Sequence, residues 1–296
     1  MSITGRMFAV KHLEIHDGPG VRTTLFLKGC SLRCLWCHNP ESVSPYPELA
    51  HYAHKCVNCG LCVSVCPSGA QILENGAHRF EREKCLACGA CAEICPEKAN
   101  MLFGKEITAE QILPELLIDQ PFFEETGGGV TVSGGEPLLQ ADFLCELLPL
   151  LKHKGIHVAI DTALAVPTEP LDKVLPYVDL FLCDIKAIDD PLHEKLTGQR
   201  FERVLTNLRY LRDKKIPVEI RVPFVPGFND TQIPKIAALL PELSNVTKVK
   251  TLAYHDLARS KYEALGRTYP LPETLCPTSE QLAKAQAVLE KGVVQK

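Results

Sequence analysis

Apolar and polar positions along the chain follow two rhythms. Apolar runs of strand length fall at Thr23–Lys28, Val130–Val132, His157–Ile160, Leu180–Cys183, Val218–Val222 and Val249–Ala253. Between or after them, apolar residues return every three or four positions over Thr108–Gln120, Ala141–Lys154, Glu202–Lys214, Thr231–Leu243 and Ser279–Lys291. In Ala141–Lys154 that stripe is Phe143, Leu147, Leu150 and Leu151. Strands alternating with helices predict a parallel sheet, because a parallel connection must cross back over the sheet. Six such units predict an α/β fold, an open, partial (β/α)6 TIM-like barrel. Chemistry in such folds gathers at the C-terminal ends of strands. The polar signals fall there: Cys30, then Gly134-Gly135-Glu136, Asp161-Thr162, Asp184-Ile185-Lys186, Arg221 and Tyr254-His255.

One stretch breaks the pattern. Residues 47–100 lack long apolar runs and hold eight cysteines in two similar blocks offset by 29 residues, KCVNCGLCVSVCP and KCLACGACAEICP. This is an internal duplication whose copies are stapled by ligands rather than by a core. Both blocks match the bacterial ferredoxin run C-x2-C-x2-C-x3-C-P, in which the fourth cysteine serves the other cluster. Cys56, Cys59, Cys62 and Cys95 are therefore assigned to one 4Fe–4S centre, and Cys85, Cys88, Cys91 and Cys66 to a second. Two zinc sites are the competing reading, since zinc also uses C-x2-C pairs. The barrel is expected over residues 1–46 and 101–296, with a ferredoxin-like 2x(4Fe–4S) domain inserted over 47–100.

Cys30, Cys34 and Cys37 form a separate C-x3-C-x2-C group. Three thiolates on one short loop hold three corners of a cubane and leave the fourth iron open to bind and activate a substrate. A zinc site completed by His38 is the alternative. Gly134 and Gly135 allow close backbone approach, and Glu136 beside them suits an ammonium group. A phosphate loop would place Lys where Gly135-Glu136 stands.

Cys30–Cys37, with Trp36 before the last cysteine, resembles the signature of the radical S-adenosylmethionine (SAM) superfamily. The resemblance implies that the open iron chelates SAM, whose reductive cleavage gives methionine and a 5′-deoxyadenosyl radical. Gly134-Gly135-Glu136 resembles that family's motif for the methionine amino group. Ile15–Thr24 and Phe26–Cys30 resemble the N-terminal signature of glycyl-radical-enzyme activating enzymes, pyruvate formate-lyase activating enzyme among them. Asp184-Ile185-Lys186 resembles their motif at the SAM carboxylate, Arg221-Val222-Pro223 their fifth-strand segment, and Tyr254-His255 the pair near adenosine. The resemblance further implies a monovalent cation at Asp161, Thr162 and Asp184. Trp36 and His38 are assigned near the cofactor, with Trp36 against the adenine or shielding the cluster. Asp17 and Arg22, flanking Gly18-Pro19-Gly20, are assigned to partner docking, with a turn closed by their own ion pair as the alternative. The implied protein substrate is a glycyl radical enzyme, and the implied electron donor a flavodoxin or ferredoxin.

Composition changes little of this. The chain of 296 residues has 46% hydrophobic and 23% charged residues and a net charge of −4, which gives no reason to expect nucleic acid or a membrane surface. Met1–Val10 carries one basic residue and no apolar run of signal length, so a cytoplasmic location is expected. Eleven of the 14 cysteines lie between Cys30 and Cys95; in a reducing compartment they read as metal ligands, not disulfides. Cys145 and Cys183 are expected to be buried thiols, and Cys276 is unassigned. His12, His51, His54, His78, His153, His157 and His193 show no ligand spacing and are taken as surface or core residues. Two other functions compete: a radical SAM enzyme acting on a different peptide or an RNA, and an iron–sulfur electron-transfer subunit.

Overall fold

A computed structural model describes residues 3–273 and 276–293 of the chain. Among them lie strands β1 (Thr4–Glu14), β2 (Arg22–Leu27), β3 (Glu48–His51), β4 (Gln71–Glu74), β5 (Ala77–Phe80), β6 (Asn100–Phe103), β7 (Lys105–Thr108), β8 (Gly129–Gly134), β9 (His157–Thr162), β10 (Leu180–Asp184), β11 (Val218–Phe224) and β12 (Val246–Ala253). All six apolar runs of the sequence become neighbouring parallel strands, β2, β8, β9, β10, β11 and β12. Every residue of β2 is buried, as a strand covered on both faces requires.

Two further strands extend the sheet on the β2 side, giving the order β12-β11-β10-β9-β8-β2-β1-β7. Both run antiparallel to their neighbours. The sequence pattern does not announce β1 because register shifts at Met7/Ala9 and Lys11/Glu14 break its period of two.

The helices lie close to their expected places. Thr108 caps Ala109–Leu116 through a capping box with Gln111, and a separate helix, Gln120–Thr126, follows. Ala141–His153 buries Phe143, Leu144, Leu147, Leu148 and Leu151 against the sheet, while Leu150 is only partly covered. Each fully buried leucine there contributes about 1.5–3 kcal/mol. The expected helix Thr231–Leu243 is shorter, Ile233–Leu239, flanked by 3-10 turns that place Pro234 and Pro241 in first turns. Short helices at Thr168–Val174, Asp190–Thr197 and Arg259–Ala264 carry too few apolar residues to show a period in the sequence. No helix among the described residues is long and apolar enough to cross a membrane.

The duplicated region is built as two copies related by the 29-residue offset. β3 pairs with β6 and β4 with β5, in registers that place His51 opposite Asn100 and Phe80 opposite Gln71. Each copy has a one-turn helix, Leu61–Ser64 or Ala90–Glu93, entered from a glycine at positive φ (Gly60, Gly89). Because β6 runs to Phe103, the paired part of this region extends past residue 100. Polar ties fix it to the barrel. Buried Lys28 donates to the Glu41 carbonyl at 2.6 Å and lies 3.4 Å from the Glu48 carboxylate, which also pairs with Arg267. Arg82 donates to the carbonyls of Leu49 (2.6 Å) and Ala264 (2.9 Å).

Candidate active site at the C-terminal rim

Cys30, Cys34 and Cys37 sit on the loop leaving β2, held by backbone bonds to two other segments. Gly29 N–H donates to Ser42 O (2.7 Å), Cys30 N–H to Val43 O (3.2 Å), Arg33 N–H to Thr197 O (2.7 Å) and Leu35 N–H to Leu196 O (3.0 Å). The Ser31 hydroxyl adds a bond to Ala165 O at 2.9 Å. Burial pushes the Cys30 and Cys34 thiols up to about 12 and Cys37 up to about 11. Without a metal these groups stay protonated; a cation at the loop would replace the protons.

Gly134 and Gly135 seat that loop. Gly135 N–H bonds Leu27 O (2.9 Å) and Glu136 N–H bonds Gly29 O (2.7 Å). A Cβ on Gly135 would stand 2.2 Å from Gly29 O, and one on Gly134, whose φ is +125°, 2.1 Å from Leu27 O. The close approach these glycines permit is therefore strand end to strand end. Glu136 is buried, and its carboxylate accepts from the Thr162 hydroxyl (2.7 and 2.9 Å), Ala163 N–H (3.1 Å) and Leu138 N–H (3.3 Å). Burial pushes it up to about 7. The Thr162 hydroxyl thus donates to Glu136, and it accepts from Leu164 N–H at 2.9 Å.

Beside the loop, three carboxylates face two cations. Lys186 Nζ lies 2.8 Å from Asp184 Oδ2, and Arg221 lies 3.5 Å from Asp184, 3.4 Å from Asp161 and 3.9 Å from Asp17. Ser133 donates to Asp161 at 2.7 Å and Thr24 to Asp17 at 2.9 Å. Burial works against the Lys186 ammonium, yet Asp184 raises it above its ordinary value; Asp184 itself is held low by Lys186 and Arg221 against its own desolvation. Asp184 Oδ1 and Arg221 Nε and Nη1 are buried without hydrogen-bond partners. Orphaned donors on a guanidinium are what an incoming carboxylate would satisfy. Lys186→Met is expected to lower stability by about 3–5 kcal/mol, since it leaves Asp184 buried with one weak partner. Denaturant unfolding reads this, and Asp184→Asn in the same chain should recover part of the loss.

The remaining expected residues divide. His38 and His255 meet edge to face with ring centroids 4.2 Å apart, and partial burial together with His255 pushes His38 down to about 4. Lys261 Nζ donates to His38 O at 3.0 Å. Trp36 is buried with Ala187, Leu196, Val225, Tyr254 and Leu271. Ile185 is wholly buried in the main core, bound through its N–H to Arg221 O at 2.9 Å, so it orders the rim from beneath.

Arg22 requires a correction. It is fully buried, and its guanidinium donates to Thr131 Oγ1 (2.5 Å), Val130 O (2.7 Å), Pro19 O (3.2 Å) and His157 O (3.2 Å). It fixes the Gly18–Gly20 turn to β8 and exposes no surface to a docking protein. Nor does it close the turn by pairing with Asp17, whose carboxylate turns to Thr24 and Arg221.

Comparison with known proteins agrees with this rim. Residues 24–240 match the family model of the radical SAM superfamily. The chain belongs to that superfamily. Among curated relatives it is 42% identical to the (2S)-3-sulfopropanediol sulfolyase activating enzyme of Bilophila wadsworthia, over 90% of this chain and 91% of the relative. It is 39% identical to the trans-4-hydroxy-L-proline dehydratase activating enzyme of Clostridioides difficile (94% and 93%) and 38% identical to the benzylsuccinate synthase activating enzyme of Thauera aromatica (96% and 89%). It is accordingly a SAM-using activating enzyme of glycyl radical enzymes, and an oxidoreductase.

In this radical SAM enzyme the cysteines of the duplicated region line two small cavities. Cys56, Cys59, Cys62 and Cys95 share one, and Cys66, Cys85, Cys88 and Cys91 the other, so the fourth cysteine of each block crosses to its partner. His51 and His78, read from the sequence as ordinary surface or core residues, instead converge on Cys56, their ligand-type atoms lying within 4.8 Å of one another. Sequence spacing could not bring them together.

Proposed function

We propose that this activating enzyme carries three 4Fe–4S clusters and takes a hydrogen atom from a backbone glycine of its partner. One cluster is assigned to Cys30, Cys34 and Cys37, the others to the two cysteine quartets of a ferredoxin-like insert. The observation that carries this reading is thiol spacing. Among the described residues the only His, Cys, Asp or Glu trio with ligand atoms within 4.8 Å of one another is His51, Cys56 and His78. Tetrahedral zinc, with Zn–S of about 2.3 Å, would draw thiolates to about 3.8 Å apart. Among the described residues no three cysteine thiols lie within 4.8 Å of one another, a wider spread than a zinc site would draw in.

A reduced cluster with an open iron supplies the electron that cleaves SAM into methionine and the 5′-deoxyadenosyl radical. The protein's part is to bind and orient. Arg221 and Lys186 suit the carboxylate of the methionine moiety, and the Gly134–Glu136 segment its ammonium. Asp17, Asp161 and Asp184 outnumber Arg221 and Lys186 by one charge, which leaves room for the monovalent cation at Asp161 and Asp184. His38, His255 and Trp36 border the adenosine end. The insert clusters serve an electron donor of the flavodoxin or ferredoxin class, in an anaerobic cytoplasm. A glycyl radical is stabilised by its flanking amide nitrogen and carbonyl, so the final transfer runs downhill.

The test uses reduced holoenzyme, SAM and a candidate partner glycyl radical enzyme, prepared both unlabelled and with its glycines deuterated. The electron paramagnetic resonance (EPR) doublet of a glycyl radical should appear with unlabelled partner and collapse to a single line with deuterated partner, with one 5′-deoxyadenosine per radical, and in the second case that product should carry deuterium. Cleavage of SAM without deuterium transfer would exclude glycine as the hydrogen source.

A further inference from the structure

The two cysteine quartets are related by the 29-residue repeat, yet their surroundings differ at several corresponding positions, and three of the differences point one way. Gln71 corresponds to Asn100. Buried Gln71 accepts from His78 Nε2 through Oε1 (2.7 Å) and donates through Nε2–H to Cys91 Sγ at 3.3 Å. Asn100, one methylene shorter, bonds His51 Nδ1 through Oδ1 at 2.8 Å and reaches no cysteine. Ser68 corresponds to Glu97. The Ser68 hydroxyl lies 3.7 Å from Cys66 Sγ, whereas Glu97 brings a carboxylate to the wall of the other cavity. Arg82 corresponds to Ala53, and its half-buried guanidinium feels the charge of Cys85. The opposing difference, Glu83 in place of His54, lies in exposed side chains.

The imidazoles beside Cys56 do not restore the balance. His78 donates Nε2–H to Gln71 and His51 donates Nδ1–H to Asn100, so neither of these hydrogens goes to Cys56. His78 Nδ1 is buried and unpartnered.

Hydrogen bonds to cluster sulfurs and nearby positive charge stabilise the more negative, reduced state and so raise the reduction potential. We propose that Gln71 makes the two insert clusters unequal, placing the cluster on Cys66, Cys85, Cys88 and Cys91 at the higher potential, where it takes the first electron. Gln71 acts through Cys91 and is a positioning residue. The inference rests on the assignment of two 4Fe–4S clusters to the insert.

The experiment is an EPR-monitored redox titration of the full chain with Cys30, Cys34 and Cys37 replaced by alanine, so that only the insert clusters contribute. Two separate midpoints are expected. Gln71→Leu should lower the higher one and leave the other in place, and Gln71→Asn, which installs the residue of the other repeat, should do the same. Iron content is measured alongside. Four irons or fewer in the parent protein would defeat the two-cluster assignment itself. Eight irons with a single shared midpoint, or two midpoints that ignore both Gln71 substitutions, would overturn only the inference. So would loss of iron in both Gln71 variants, which would make the residue a folding element.

Discussion

Anaerobically reconstituted protein is expected to hold about twelve irons per chain, falling to about eight when Cys30, Cys34 and Cys37 become alanine. SAM cleavage should fall to background in that variant, while the absorbance of the insert clusters persists. The expectation follows from how independently the sites are built. The rim cysteines hang on a loop fixed by Ser42, Val43, Ala165, Leu196 and Thr197. The insert cysteines lie in the segments that join β3 to β4 and β5 to β6, with Cys62 and Cys91 on the one-turn helices. No backbone bond of the rim loop goes to either quartet. Burial that pushes Cys30 and Cys34 up to about 12, and Cys91 up to about 11, means each site stores thiols that only a bound cation turns to thiolates. Removing three of them therefore empties one site without unbalancing the others. Inductively coupled plasma analysis reads the iron. A content near four in the unaltered protein, or zinc in its place, would end the three-cluster reading.

What the sequence made legible was whatever depends on local chemistry. A parallel strand buried on both faces is a continuous apolar run, so β2, β8 and β10 could be read directly. Cluster ligands must be close along the chain, so their spacing survives in the sequence. The parts that were hidden depend on contacts far apart in the chain. Nothing near Arg22 signals that Thr131, Val130 and His157 will surround it. Read alone, its position beside a Gly-Pro-Gly turn suggests a surface charge. Glu136 was legible as a carboxylate at a rim, but its engagement by Thr162 arises only because β8 and β9 are neighbours. His51 and His78 are the same case inside the insert. The bulges of β1 hid a strand in the opposite way, by erasing the alternation that would have marked it.

The second large effect is expected at Asp17, the docking candidate that remains once Arg22 is withdrawn. Its carbonyl accepts from Thr131 Oγ1 at 2.6 Å, and its carboxylate lies between Thr24 and Arg221. That arrangement ties the Gly18-Pro19-Gly20 turn to the group of charges at the rim. Just before the turn, Leu13 and Ile15 expose 53% and 64% of their surface, a level at which an aliphatic side chain gains by being covered. Gly18, at φ +127°, and Gly20, at +65°, hold the turn in a left-handed shape that seats it against Arg22, Thr126 and Gly128. An extended glycyl loop laid along this turn would meet Asp17 last, next to Arg221. Asp17→Ala is expected to reduce radical formation on the partner by about 10²-fold, the scale on which misplacing a reacting group acts. SAM cleavage by dithionite-reduced enzyme without partner should continue, because Asp161 and Asp184 still hold Arg221 in place. The paired readouts are the glycyl EPR doublet and 5′-deoxyadenosine by chromatography. Equal loss of both would mean that Asp17 works through Arg221 on the cofactor, and full retention of both would remove it from docking.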